Sequence, residues 1–220
     1  MWRSGLIVGI LLVLAPAAEA FVVESYEPAT QYEVQTIAGD PRLERLIIGT
    51  LRSEPIMYEV ISDSEFLFSF ELRTIPTATP PQLTAIVVRV LDPRGVEEVT
   101  RLPYQASQWI VGRDYNSGLP YQTAPRYEKM LPAGIYQFEI STADNQGSFM
   151  VALGSEPAPA GYWTSLTALR AIYKFYEAPA ILMIRSPLIY YPLGILFLLI
   201  LLPYTFYKTR AKLPFLHKHA

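Results

Sequence analysis

From Pro187 to Tyr207 the chain runs for 21 residues, PLIYYPLGILFLLILLPYTFY, without a charged side chain, and Lys208, Arg210 and Lys212 follow at once. As an α-helix this stretch is about 31 Å long, which matches the hydrocarbon core of a bilayer. Tyr190, Tyr191, Tyr204, Phe206 and Tyr207 gather at its two ends, where interfacial aromatics belong. A soluble core helix of this length would carry a polar face. Residues 187–207 are therefore expected to cross a membrane once. Pro192 and Pro203 stand about a turn from the ends, where a lost backbone hydrogen bond costs less than at the centre, and predict kinked or frayed ends.

Residues 1–20 combine Arg3, an apolar run from Gly5 to Leu14, Pro16 and then Ala18-Glu19-Ala20, the pattern of a secretory signal with an A-x-A cleavage site. The run is shorter than the ~20 residues a permanent span needs, so cleavage after Ala20 is expected over a retained second anchor. Residues 21–186 hold 13 Lys/Arg and 19 Asp/Glu, a net charge of −6, whereas the tail 208–220 has four Lys/Arg and no acid. The positive-inside rule puts that tail in the cytoplasm and the N-terminal domain outside, as a single-pass protein of the cell membrane. An acidic exported face gives no reason to propose a nucleic-acid partner.

The chain has no cysteine, and its two histidines, His217 and His219, both lie in the tail. The exported segment thus has no disulfide, thiol nucleophile, His-based triad or His-ligated zinc site, and must be stabilised by its own core. Neither an enzyme activity nor a cofactor nor a metal is expected.

Between Phe21 and Gly154 the apolar period is two. Phe66, Phe68, Phe70 and Leu72 share one face, and Tyr136, Phe138 and Ile140 alternate with Gln137 and Glu139, as in half-buried strands. Further strands are expected around Tyr32, Ile47, Val60, Val88, Ile110 and Val151, giving about eight in all with no helix among them. Leu91-Asp92-Pro93-Arg94-Gly95 and Leu131-Pro132-Ala133-Gly134 read as turns, and Asp144-Asn145-Gln146-Gly147 as a hairpin loop. Glu97 and Glu98, adjacent and so on opposite faces of any strand, are no acid/base pair and are expected in a solvated turn. The fold class is mainly β: an antiparallel β-sandwich over residues 21–155.

The run LPAGIYQFEISTADNQGSFMVALGSEP, preceded by RDYNSGLPYQTAPRYE and followed by RSPL before the span, resembles a group of uncharacterised single-span prokaryotic membrane proteins with an extracytoplasmic β-sandwich. They share a P-A-G-x-Y strand, a D-N-Q-G hairpin, a V-A-x-G strand end, an amphipathic stretch and a Ser-Pro entry to the membrane helix. The resemblance covers Tyr115 to Leu188 and implies topology, not activity. The chain is more weakly similar to GOLD-domain cargo receptors of the secretory pathway, through its signal, sandwich, single span and short basic tail. It departs from them in lacking paired cysteines, a coiled coil before the membrane and a di-lysine end.

Residues 156–186 form the link to the span. Glu156 to Ala160 is proline-rich and reads as a stiff connector. After it Tyr162, Leu166, Leu169, Tyr173, Tyr176 and Ala180 recur at intervals of three and four, so Tyr162 to Glu177 is predicted to be an amphipathic helix. It has two placements. Lying in the membrane interface it would seat Trp163, Tyr173 and Tyr176 at headgroup depth, with Arg170 and Lys174 reaching phosphates. Alternatively its apolar face packs under the sandwich or on a second copy. Because the span is only ten residues away, the interface is the expected placement.

The candidate binding surface is the loop-rich region 101–129, where Tyr104, Trp109, Tyr115, Tyr121 and Tyr127 are interleaved with Arg113, Asp114, Asn116 and Arg126. Aromatic rings beside polar groups are what sugar- and protein-binding faces use, although in a sandwich such residues also cap the core. The sequence thus points to a membrane-anchored scaffold, accessory subunit or protein-interaction module of an envelope complex, with the bilayer and a membrane-protein or envelope partner. A glycan- or ligand-binding module and a GOLD-like cargo receptor are the alternatives. The sequence leaves oligomeric state open.

Overall fold

A computed structural model describes residues 22–25, 33–91 and 95–211. The expected signal segment, the turn at 92–94 and the tail beyond Ala211 lie outside the described residues. The described residues form strands β1 (Val22–Ser25), β2 (Val34–Thr36), β3 (Arg45–Arg52), β4 (Ile56–Ser62), β5 (Phe66–Thr74) and β6 (Thr84–Leu91). β7 (Gly95–Pro103), β8 (Ile110–Arg113), β9 (Pro120–Thr123), β10 (Tyr127–Leu131), β11 (Gly134–Ser141) and β12 (Gln146–Leu153) follow. Two α-helices, α1 (Tyr162–Phe175) and α2 (Pro187–Ala211), come last, joined through a 3-10 helix at Ala180–Arg185.

The strands make two sheets of a β-sandwich. Sheet A runs β1-β3-β12-β5-β9-β8, with β10 also paired to β5, and sheet B runs β2-β4-β11-β6-β7. The central pairs are antiparallel, while the N-terminal edge strands β1 and β2 join β3 and β4 in parallel. The alternating faces read from the sequence meet in the middle: Phe66, Phe68 and Phe70 of sheet A lie against Tyr136 and Phe138 of sheet B. Phe70 and Phe138 stand edge to face with centroids 5.6 Å apart, an arrangement favoured by the ring quadrupoles. Asn145 takes φ 48° at the tip of the β11–β12 hairpin, a left-handed turn position that asparagine tolerates well.

Four strands were not expected. β1, β9 and β10 are short, and β7 is a polar edge strand that pairs only with β6. Glu97 and Glu98 therefore lie within β7, opposite Arg89 and Val88, and not in a turn. β7 has water on its outer edge, so it needs little apolar alternation to be stable there.

Along β12, sheet A is apolar on both faces. Phe149, Val151 and Leu153 of β12 point into the sandwich core, whereas Met150 and Ala152 between them are also buried, on the outer face. Helix α1 lies over that face. The connector after β12 is stitched to the chain before β3: the N–H groups of Ser155 and Glu156 both reach the Arg42 carbonyl, and the Glu44 N–H reaches that of Glu156. Helix α2 runs on through both Pro192 and Pro203. Its Pro187–Lys208 portion, with mean hydropathy 1.9, is long and apolar enough to span a membrane.

Candidate functional site

The five aromatics of the 101–129 region do not form one surface. Tyr104 is buried in the core with Trp109 packed beside it, ring centres 6.2 Å apart. Burial, and then the charge of Glu71, push the Tyr104 hydroxyl up to about 12. Tyr127 lies edge-on to Phe68 against the core. Tyr121 fills the space left by the missing side chain of Gly112, whose Cβ would fall 2.8 Å from the ring, and the Arg73 guanidinium covers it at 4.6 Å. Of the five only Tyr115 is open, at 63 % exposure. The expectation of a shared stacking face is corrected: Tyr104 is buried in the core, and Trp109, Tyr121 and Tyr127 are half-buried against separate neighbours.

Beside Tyr121 the sheet carries a charged pair in a poorly hydrated place. Arg73 Nε donates to Glu71 Oε1 at 2.6 Å, the Thr123 hydroxyl donates to the same oxygen at 2.8 Å, and Arg126 approaches at 3.8 Å. Burial raises the Glu71 carboxyl, but the hydrogen bond and charge of Arg73, with help from Thr123 and Arg126, outweigh it and hold the group below its ordinary value.

The residues the fold gathers most closely are those around the entry to α2. Ser165, Ala168, Leu169, Ile172 and Tyr173 form the inner face of α1, at the spacing of a single helical stripe. That stripe packs on Val23 of β1, Leu46 of β3, Leu119 and Leu188. α1 then ends in a Schellman motif, in which Ala178 N–H reaches the Tyr173 carbonyl and Glu177 N–H that of Lys174. Glu177 occupies the left-handed position, with φ 51°.

Helix α2 starts from a built cap. Ser186 has extended backbone and its Oγ accepts the N–H of Leu188 at 3.2 Å; with Pro187 in the first helical position this is a strong N-terminal signal. The same hydroxyl donates to the Asn116 carbonyl at 2.5 Å, fastening the helix start to the β8–β9 loop. The Tyr173 hydroxyl lies between the carbonyls of Ser117 and Leu182, at 2.9 and 2.8 Å, and that of Tyr176 donates to Pro120. Tyr162 donates to the Leu188 carbonyl at 3.0 Å. Pro192 has no N–H with which to reach that carbonyl one turn back, so Tyr162 supplies the donor that the helix lacks.

The β8–β9 loop, α1 and the 3-10 helix thus form a collar around the first turn of α2. This corrects the expected placement of α1. Tyr173 is 2 % exposed and Tyr176 is half-buried under the sandwich, because the second apolar face of sheet A needs covering and α1 is the nearest apolar stripe. Burial raises both hydroxyls above the ordinary tyrosine value. Trp163, Arg170 and Lys174 remain on the outer side of α1, exposed. Between α1 and the sheet a cleft of about 250 Å³ is lined by residues that include Arg45, Arg73, Asp114 and Asn116. Arg45 Nε and Asn116 Oδ1 are buried there without a protein partner.

No protein-family model matches the chain, and no curated protein matches it in sequence. Among solved structures, the pre-peptidase C-terminal domain of collagenase from Bacillus anthracis aligns at 14 % identity and a TM-score of 0.35, covering 58 % of this chain and 98 % of that domain. CorA, a surface-associated copper-binding protein important in Methylomicrobium album BG8 copper acquisition, aligns at 10 % identity and a TM-score of 0.33, covering 59 % of this chain and all of that one. Likenesses this distant carry no argument about what the chain does.

Proposed function

We propose that the chain is a membrane-anchored extracytoplasmic protein-interaction module, a scaffold or accessory subunit of an envelope complex, with its sandwich outside and its tail in the cytoplasm. The charge asymmetry supports the orientation: 19 acidic against 13 basic residues over 21–186, and four basic with no acidic residue after the apolar helix. The observation that carries the functional reading is the collar. A module that only fishes for ligands works on a flexible stalk, whereas one that holds partners in register needs its domain fixed to its span. Here Ser186 and Tyr173 fix it by side-chain hydrogen bonds to the β8–β9 loop, and Tyr162 by one to the first turn of α2.

The test is purification of the full-length protein from its native membrane in mild detergent, beside a variant with six Gly/Ser residues inserted between Arg185 and Ser186. A defined partner set that accompanies the parent and is lost from the insertion variant is expected. An isolated parent protein with no consistent partner overturns the reading.

A second reading, binding of a small polar ligand, places that ligand in the cleft under α1, whose lining includes Arg45, Arg73, Asp114 and Asn116. A thermal-shift screen of small polar compounds whose responses are unchanged by Asn116→Leu removes it.

A further inference from the structure

Four large apolar side chains surround the start of α2 and point away from the packed core: Tyr115 at 63 % exposure, Trp163 at 75 %, Ile181 at 75 % and Ile184 at 52 %. They come from three segments that meet at one place. Trp163 packs on Tyr162, whose hydroxyl bonds Leu188. The Tyr115 loop is bonded to Ser186 through Asn116. Ile181 and Ile184 are three apart in a 3-10 helix, so they share one side, while Leu182 and Met183 turn inward to Leu169 and Tyr173.

The depth of this ring follows from the span. Lys208 is the first charge after the apolar run. Thirty ångströms of hydrocarbon correspond to about 20 helical residues, which places the outer boundary of the core near Leu188. Leu188 is 2 % exposed, sheathed by the collar. The collar therefore reaches down to the hydrocarbon boundary, and the side chains around Leu188 fall in the headgroup layer, which adds about 5–7 Å on each side. Trp and Tyr favour that layer, and exposed isoleucines are removed from water there.

We propose that Tyr115, Trp163, Ile181 and Ile184 form a seat by which the sandwich rests on the outer leaflet, the bilayer surface being its partner. The proposal rests on the reading of α2 as a membrane span. It keeps Trp163 of the expected interface residues but not Tyr173 and Tyr176, whose side of α1 the sandwich occupies, and it has a different geometry: a ring around the span in place of a helix lying flat.

The chain has no cysteine, so a single cysteine at each of Tyr115, Ile181 and Ile184 carries the only spin label in full-length protein reconstituted in phosphatidylcholine–phosphatidylglycerol nanodiscs. Leu196, mid-span, and Val96, exposed on β7 of the other sheet, serve as references. Collision of the nitroxide with oxygen relative to a water-soluble nickel chelate should be highest at Leu196 and lowest at Val96. At the three seat positions it should stand at least threefold above Val96. Seat labels that match Val96 while Leu196 is oxygen-favoured overturn the seat and leave the span intact; a Leu196 label that behaves like Val96 overturns the span and the seat with it. A second readout uses no cysteine: shallow-brominated lipid should quench a component of tryptophan fluorescence that disappears in Trp163→Phe, and equal quenching in the two proteins also overturns the seat.

Discussion

Leu169 is the most direct probe of whether α1 belongs to the sandwich. It is fully buried between the helix and sheet A, in contact range of Val23, Leu46, Ile172 and Leu188. Leu169→Ala removes its isobutyl group from a site walled by two rigid elements, so the surroundings collapse only partly. Fully buried Leu→Ala changes of this kind cost about 3–5 kcal/mol, and the lower end applies because one wall is a single helix that can relax. For a chain of 220 residues, about 3 kcal/mol corresponds to roughly 6–12 °C in Tm. Unfolding of the full-length protein in detergent micelles, followed by near-ultraviolet circular dichroism, reads the tertiary packing around the core aromatics. The controls lie on the opposite side of the same helix: Arg170→Ala and Lys174→Ala are exposed and should stay within about 0.5 kcal/mol, or roughly 2 °C. If Leu169→Ala also stays within 2 °C, the sandwich does not depend on α1, and the collar cannot hold the span as described.

Three further outcomes follow from the same contacts. Glu71→Gln leaves Arg73, a largely buried cation, without its charge partner and should cost about 3 kcal/mol at neutral pH. Because the folded carboxyl titrates below its ordinary value, its stabilisation is complete only above about pH 5 and is lost as pH falls through the ordinary glutamate range toward the depressed folded value; the fall in Tm of the parent below about pH 5 should therefore be shallower in the variant. Tyr162→Phe should cost about 1 kcal/mol by withdrawing the donor from the Leu188 carbonyl, and Pro192→Ala, which restores an N–H one turn on, should reduce that cost in a double-mutant cycle read by chemical denaturation in micelles. Glu177→Gly should raise Tm by about 1–4 °C, since glycine relieves the left-handed strain of roughly 1–2 kcal/mol and gives back part of it as unfolded-state entropy.

How far the sequence discloses this fold depends on how many faces of an element are buried. β5 and β11 each have one face in the core, and their period-two patterns, Phe66-Phe68-Phe70 and Tyr136-Phe138-Ile140, identify both the strands and the side that faces inward. β7 and β10 lie where pairing is largely polar and exposed, and GVEEVTRLP and YEKML carry no alternation to find. α1 is legible as a helix from its apolar spacing, over Tyr162 to Glu177 against an observed Tyr162–Phe175. Its partner is not, since a stripe of apolar residues does not say what covers it. The signal that decides between sheet and bilayer is on another element: Phe149-Met150-Val151-Ala152-Leu153 is apolar without interruption, as a strand covered on both sides must be. The aromatic region misled for a related reason. Composition alone does not separate rings that cap a core from rings that face water, and only the contacts of Tyr104, Trp109, Tyr121 and Tyr127 do so.

The second apolar face of β12 also accounts for the collar. A strand buried on both sides needs a covering element, and the chain supplies it immediately, through a connector stitched to residues 42–44 that allows little slack. Once α1 covers Met150 and Leu46, its C-terminus is fixed beside the β8–β9 loop by Tyr173 and Tyr176, and only ten residues remain before Pro187. The start of the apolar helix is thereby confined to the neighbourhood of that loop, where the Asn116 carbonyl and the Tyr162 hydroxyl stand ready for Ser186 and Leu188. Displacing α1 would re-expose sheet A, so the burial energy that completes the fold also holds the start of α2 close to the sandwich. Mutations that loosen the joint should therefore lower domain stability as well, and a variant that decouples the two with only a small loss of Tm would have to keep α1 in place and break only the contacts of Ser186 and Tyr162.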